Sequence, residues 1–211
     1  MTLPVDIHTH QPELHEHAII SVSPHEFSPQ PYRYYSIGIH PWQSATAETH
    51  DMDMLTQIAS HPQVVAIGEC GIDRLHGAPV EQQIEILITH IRLSETLQKP
   101  LILHVVRAFD LLLGVYKRMR PSQKWIIHGF RGNAATAHQL ITAGYDLSYG
   151  EKYQLAALQT TPLDRLWIES DESLLSDDTL LTHIAEKYPC ATNILRASIE
   201  RRMKEVFFSK I

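Results

Sequence analysis

Eight short runs of apolar and β-branched residues punctuate the chain: PVDIHTH, AIISVS, YYSIGIH, VVAIGEC, LILHVV, WIIHGF, YDLSYG and LWIESD. Each has strand length and is bounded by turn-forming or charged residues. From the third onward, most are separated by segments whose apolar residues recur at helical spacing. Residues 46–60 predict a helix that ends before Pro62. Residues 79–98 predict another, opening at Pro79 and carrying Val80, Ile84, Leu87 and Ile91 along one stripe. Residues 107–119 and 133–143 repeat the pattern, with Asn133 placed to cap the second and Gly144 to stop it. Two further helices are expected over about 177–187 and 192–209. The Pro-rich stretch from Pro24 to Pro31 reads as a surface loop.

Strands that alternate with helices build parallel βα units. Eight of them predict an α/β fold, a (β/α)8 TIM-type barrel, with residues 1–211 as a single domain. The segments joining the first three strands are too short for full helices, so the first βα units should be trimmed.

Composition narrows the chemistry. The formal charge is −6 and the pI about 6.1, so nothing draws the whole surface towards nucleic acid. A phosphate-bearing substrate must then be held by metal or by local Arg and Lys. The two cysteines, Cys70 and Cys190, form no C-x-x-C pair, which fits a reducing compartment. No apolar run is long enough to span a membrane, and a cytoplasmic location is the expectation. Histidine is the outlying component, at 14 of 211 residues.

The histidines and acids recur at one kind of place. His8 and His10 end the first run, His40 the third, Glu69 the fourth, His104 the fifth, His128 the sixth and Asp171 the eighth. Parallel barrels build active sites at the C-terminal ends of their strands. Imidazole and carboxylate together suit Zn, Mn, Mg or similar divalent ions. His8, His10, Glu69, His104, His128 and Asp171 are enough ligands for two ions with open positions. Strand alternation puts Asp6, His8 and His10 on one face, so Asp6 reads as an orienting partner of a ligating imidazole or as a buried structural acid. Other histidines, among them His50, His61, His76, His90, His138 and His183, scatter over helices and loops.

In this order, D-x-H-x-H, G-x-H-P, I-G-E-x-G-[LI]-D, H-x-F-x-G and E-[ST]-D resemble the TatD-type metal-dependent deoxyribonucleases. The resemblance implies a TIM barrel that cuts phosphodiesters of DNA with two divalent metal ions. It implies that His8, His10 and Asp171 bind one metal, His104 and His128 the other, and Glu69 both. Asp171 would orient or deprotonate the attacking water, and His40 would lie near the scissile phosphate, unless it is simply a turn histidine before Pro41. The chain is some 40–50 residues shorter than is usual for the family. It also has Val106 where the family's H-x-R carries Arg, Arg131 within HGFRG, and Glu172 after E-S-D.

Arg131, beside Gly132 and Asn133 at an expected helix N-terminus, is therefore the candidate for the missing phosphate contact, together with Arg107. An exposed Arg with no such role is the alternative. Asp73 is a candidate for substrate binding or for organising the loop after Glu69. Cys70 should face away from Glu69 as a packed thiol, and Trp42 can stack on a base or pack its own loop. Two other readings stay open. One is a metallohydrolase of a small phosphoester or amide, although a late D-x-H and a strand-four Lys are both lacking. The other is a degenerate barrel that binds metal and a partner without chemistry.

Overall fold

A computed structural model describes residues 3–209. The strands are β1 (Asp6–Thr9), β2 (Ala18–Val22), β3 (Tyr34–Ile37), β4 (Val64–Asp73), β5 (Leu101–Val106), β6 (Trp125–Ile127), β7 (Asp146–Tyr149) and β8 (Leu166–Ile168). They follow one another in chain order around a closed parallel barrel. The helices are α1 (Thr49–Ile58), α2 (Val80–Leu97), α3 (Phe109–Met119), α4 (Ala134–Ala143), α5 (Leu155–Thr160), α6 (Asp177–Lys187) and α7 (Thr192–Val206). The trimming is as expected: among the described residues no α-helix precedes α1, and the β2–β3 connection holds a single 3-10 turn at Pro24–Glu26. A second such turn, Pro41–Gln43, follows β3.

The chain divides into two compact units, one of residues 3–20 and 126–209, the other of residues 21–125. In the first, β1 pairs with β8 through Asp6 and Ile168, and β7 with β8 through Leu147–Leu166, Ser148–Trp167 and Tyr149–Ile168. Its floor is a buried polar knot. Asp146 accepts from Trp167 Nε1 at 3.0 Å and Arg202 Nη2 at 2.7 Å, and the Arg202 guanidinium lies 3.9 Å above the Trp167 ring. That arrangement docks α7, whose Leu195, Ile199 and Met203 are buried.

In the second unit, β4 is buried along its whole length, as a strand covered on both faces should be. Two glycines let it approach β5. At Gly71, with φ +150°, an added Cβ would stand 1.9 Å from the carbonyl oxygen of His104. His90 on α2 is fully buried, its Nδ1 donating to the Ile86 carbonyl at 2.8 Å while Nε2 accepts the Ile39 N–H at 2.9 Å. The ring is thus a neutral acceptor, and burial pushes its pKa down to about 4 from the ordinary 6.5, against the Ile86 hydrogen bond.

That placement has a measurable consequence. Below about pH 6.5 the unfolded chain takes up a proton that the folded chain refuses until about pH 4. Stability is then lost as pH falls through that window, by up to ~3 kcal/mol from this one residue. Urea melts of the wild type and of His90→Gln at pH 7 and 5 check it. The wild type should lose distinctly more than the variant, and equal losses would show that His90 does not titrate this way.

Several expectations are corrected. The helix expected over 46–60 is Thr49–Ile58, and the last helix stops at Val206 rather than at 209. Pro79 is the N-cap of α2, not its first turn. Glu69 and His104 do not end their strands: β4 runs on to Asp73 and β5 to Val106, where Asp73 and Val106 pair. The loop from Pro24 to Pro31 contains the 3-10 turn, and α5 lies in a segment with no expected helix.

Candidate metal centre

In the first unit, β1 delivers His8, and His10 follows one residue past its end. The strand is fixed from below by Asp6, whose Oδ1 accepts the His8 N–H at 2.9 Å and Oδ2 the Ser170 N–H at 3.1 Å. Asp6 therefore holds the backbones of β1 and of the segment after β8, and these contacts favour the structural alternative over an imidazole partner. Burial, reinforced by Asp177, raises its pKa well above the usual carboxylate range, against hydrogen bonds from Ser170 and His8.

A second clasp sets Asp171. Its N–H donates to the His8 carbonyl and its carbonyl accepts the His10 N–H, both at 2.9 Å. Between these bonds Asp171 is held left-handed, at φ +54°, a conformation that costs a non-glycine residue roughly 1 kcal/mol or more. The result brings side chains together: Asp171 Oδ1 is 3.8 Å from His8 Nε2, and the rings of His8 and His128 lie 4.2 Å apart. His8, His128 and Asp171 each place one donor atom within 4.8 Å of the others, and so do His10, Asp171 and Glu172.

Glu169, two residues before Asp171 in the segment that follows β8, joins this cluster although nothing in the sequence beyond the E-S-D spacing marks it as a ligand. Its Oε1 accepts the Gly129 N–H at 2.5 Å and lies 3.5 Å from His128 Nδ1. Burial opposes its charge, but the imidazoles of His128 and then His8 prevail and hold its pKa below the usual value. Nothing in the sequence marks His15 either. It is buried, with Nδ1 2.5 Å from Asp177 Oδ1 and Nε2 3.0 Å from the Ser173 carbonyl, and it ties the loop after β1 to the loop that leads into α6.

In the second unit, β4 carries Glu69, β5 carries His104, and His40 follows β3. Glu69 Oε1 lies 2.9 Å from His104 Nδ1 and 3.1 Å from His40 Nε2. His40 Nδ1 accepts the Trp42 N–H at 3.1 Å, so a neutral His40 keeps its proton on Nε2, the nitrogen that faces Glu69. His104 Nε2 lies 3.3 Å from Asp73 Oδ2. That carboxylate is buried and also accepts from Trp42 Nε1 at 2.7 Å and from the Leu75 N–H at 2.7 Å. Burial alone would raise the Asp73 pKa, but the bonds from Trp42, Leu75 and His104 outweigh it and leave it lowered. The loop is locked by Gln83, which accepts from the Asp73 N–H at 2.8 Å and donates to the Asp73, His76 and Ala78 carbonyls. Asp73 thus lies behind His104 and organises its loop, with its oxygens already engaged.

These donor sets fit divalent metal. Imidazole nitrogens and carboxylate oxygens on one ion stand about 3–4 Å apart when each bond is roughly 2.0–2.2 Å long. His40, Glu69 and His104 lie within the 4.8 Å limit, as do His8, His128 and Asp171. If Asp73 takes the His104 Nε2 proton, the lone pair of Nδ1 faces a carboxylate oxygen at 2.9 Å, and two acceptors at that distance call for a cation.

Both Arg candidates are exposed. Arg131 is exposed and lines a small cavity with Lys152, Glu151, Glu169, Asp171 and Glu172. Beyond it, Asn133 caps α4 as expected, its Oδ1 accepting the Thr136 N–H at 2.9 Å. Arg107 is exposed at φ +52°, and its carbonyl accepts from Arg74 Nη1 at 2.7 Å. Cys70 is fully buried, its thiol turned to the Ile102 carbonyl, and burial raises its pKa. Among the described residues no helix is long and apolar enough to cross a membrane.

A family model described as TatD related DNase matches residues 24–202. An uncharacterized metal-dependent hydrolase TatD of Mycobacterium tuberculosis is 29% identical over 188 residues, 82% of this chain and 71% of the relative. The 3'-5' ssDNA/RNA exonuclease TatD of Musicola paradisiaca is 31% identical over 157 residues, 68% of this chain and 58% of the relative. The uncharacterized metal-dependent hydrolase YcfH of Escherichia coli K12 is 29% identical, with 67% and 56% covered. The match thus spans little more than half the length of the last two. Among solved structures, the TatD homologue YJJV of Escherichia coli superposes with a TM-score of 0.86 at 18% identity, over 97% of this chain and 98% of the other. A TatD family hydrolase from Entamoeba histolytica gives 0.77 at 14%, with 98% of each chain covered. At these identities the likeness shows a shared fold.

Proposed function

Because the chain belongs to the TatD-related DNase family, we propose that it is a metal-dependent hydrolase that cleaves phosphodiester bonds of nucleic acid with two divalent ions. The observation that carries the reading is the presence in each unit of its own imidazole and carboxylate cluster. His8, His10, His128 and Asp171 would hold one ion, and Glu69 with His104 the other. Zn, Mn and Mg are the candidates by donor chemistry. When bound, such ions polarise a phosphoryl oxygen and make water a nucleophile at neutral pH.

The chain's own groups supply the rest. Asp171 Oδ1 takes the proton of the attacking water, and its clasped backbone keeps the carboxylate aimed. His40 holds a proton on Nε2 and donates it to the leaving oxygen. Asp73 keeps His104 in one ring orientation. Arg131, and Arg107 with it, contact substrate phosphate in place of the Arg that Val106 replaces.

The single-stranded nucleic acid named for the Musicola relative is the proposed substrate class. The test is cleavage of a single-stranded oligonucleotide and of a generic small phosphodiester by the wild type and by the double variant His8→Ala with His10→Ala. The reading expects the oligonucleotide to be the better substrate and the double variant to be inactive. Turnover of small phosphoesters alone would replace the substrate assignment. Bound metal without turnover of any substrate would favour the partner-binding barrel that Val106 suggests.

A further inference from the structure

Trp42 stands out against the other tryptophans. Trp125 and Trp167 are fully buried, whereas Trp42 is 59% exposed. A lone exposed apolar side chain is ordinary, but this one is held rigid. Its Nε1 donates to Asp73 Oδ2 at 2.7 Å, and its backbone N–H donates to His40 Nδ1 at 3.1 Å. The His40 ring meets it edge-on at 5.0 Å and 86°, with the His104 ring at 6.0 Å. The edge of the indole is therefore tied to the carboxylate that orients His104, while more than half of the side chain stays open. Leu75, 53% exposed, comes from the same Asp73-centred loop, and the His76 ring lies 5.2 Å from the indole.

A rigid, open aromatic plane beside a candidate phosphate-handling cluster suits a flat π-face. The net charge of −6 gives the chain little of the counterion-driven affinity on which backbone binders rely. Stacking needs no positive charge and tolerates any base. We infer that Trp42 is a stacking platform for an unpaired base next to the scissile phosphodiester, which selects single-stranded ends without sequence preference. The inference rests on the proposed phosphodiesterase reading and names its substrate subsite.

The experiment compares two single-stranded oligonucleotides, identical except that one carries abasic residues at both ends. Both are assayed on metal-loaded wild type, Trp42→Ala and Trp42→Phe. The wild type should show a KM raised roughly tenfold or more for the abasic substrate, as loss of one stacked base implies. Trp42→Ala should raise KM on the normal substrate by a similar factor and lose the discrimination. Trp42→Phe, which keeps a ring and loses the N–H, should keep most of the discrimination. A fall in kcat with KM unchanged would mark Trp42 as a support for Asp73 and overturn the platform. In chelator, where nothing is cleaved, the normal oligonucleotide should quench the exposed tryptophan emission of the wild type, and absence of quenching would contradict the inference. Equal cleavage of both substrates by the wild type overturns stacking and leaves the hydrolase reading intact. Cleavage of neither removes both.

Discussion

Replacing Glu69 by alanine should lower kcat by on the order of 10³-fold or more while leaving a folded protein. Glu69 is the acidic member of the cluster in its unit, and two imidazole nitrogens face the same oxygen, His104 Nδ1 at 2.9 Å and His40 Nε2 at 3.1 Å. Removing it leaves that cluster without its negative charge and leaves the His40 proton without this acceptor. Metal-based charge stabilisation is worth several kcal/mol, and each 1.36 kcal/mol is about tenfold in rate. Glu69→Gln, which keeps the shape and removes the charge, should lose nearly as much. Rates on a single-stranded oligonucleotide, with circular dichroism to verify folding, check the prediction. A variant within tenfold of wild type would remove Glu69 from the chemistry.

The largest effect on stability is expected at Gly71. Its φ of +150° is a conformation that L side chains rarely adopt, and an added Cβ would stand 1.9 Å from the His104 carbonyl oxygen and 2.9 Å from its carbon. Both obstacles are backbone atoms of the paired strand, so no side chain can swing aside. Gly71→Ala should cost about 3–5 kcal/mol, combining backbone strain with steric displacement. Against a typical total of roughly 5–15 kcal/mol, that removes a large fraction of the stability. It should also reduce activity, because relief of the clash must move His104. Gly114, within α3, is the control: an added Cβ there meets nothing within 4 Å, and Gly114→Ala should stabilise by about 0.5–1 kcal/mol. Urea midpoints of the two variants measure both signs, and a neutral Gly71→Ala would show that the two strands can separate at that point.

The barrel is legible because short runs rich in apolar and β-branched residues alternate with helical patterns, and the strands they form are largely buried. The N-cap at Asn133 and the stop at Gly144 were legible for the same local reason: capping chemistry acts within a few residues. The ends of β4 and β5 are not legible, because the first polar side chain does not mark the rim: both strands continue past Glu69 and His104. Six-residue α5 left too short a period to detect. The supports of the site were hidden by sequence distance. His90 reaches Ile39 across 51 residues, and His15 reaches Asp177 across 162, so nothing local distinguishes them from the histidines that scatter over helices and loops. The contacts that engage the Asp73 carboxylate are likewise distant in sequence, since His104 and Trp42 are each 31 residues away.

On the proposed reading, these imidazole and carboxylate clusters hold divalent metal for hydrolysis. Metal analysis of the purified chain, combined with oligonucleotide cleavage before and after chelation, tests it most directly. The account predicts bound divalent metal, loss of cleavage when the metal is stripped, and recovery when it is returned. Full cleavage by verified metal-free protein would contradict it.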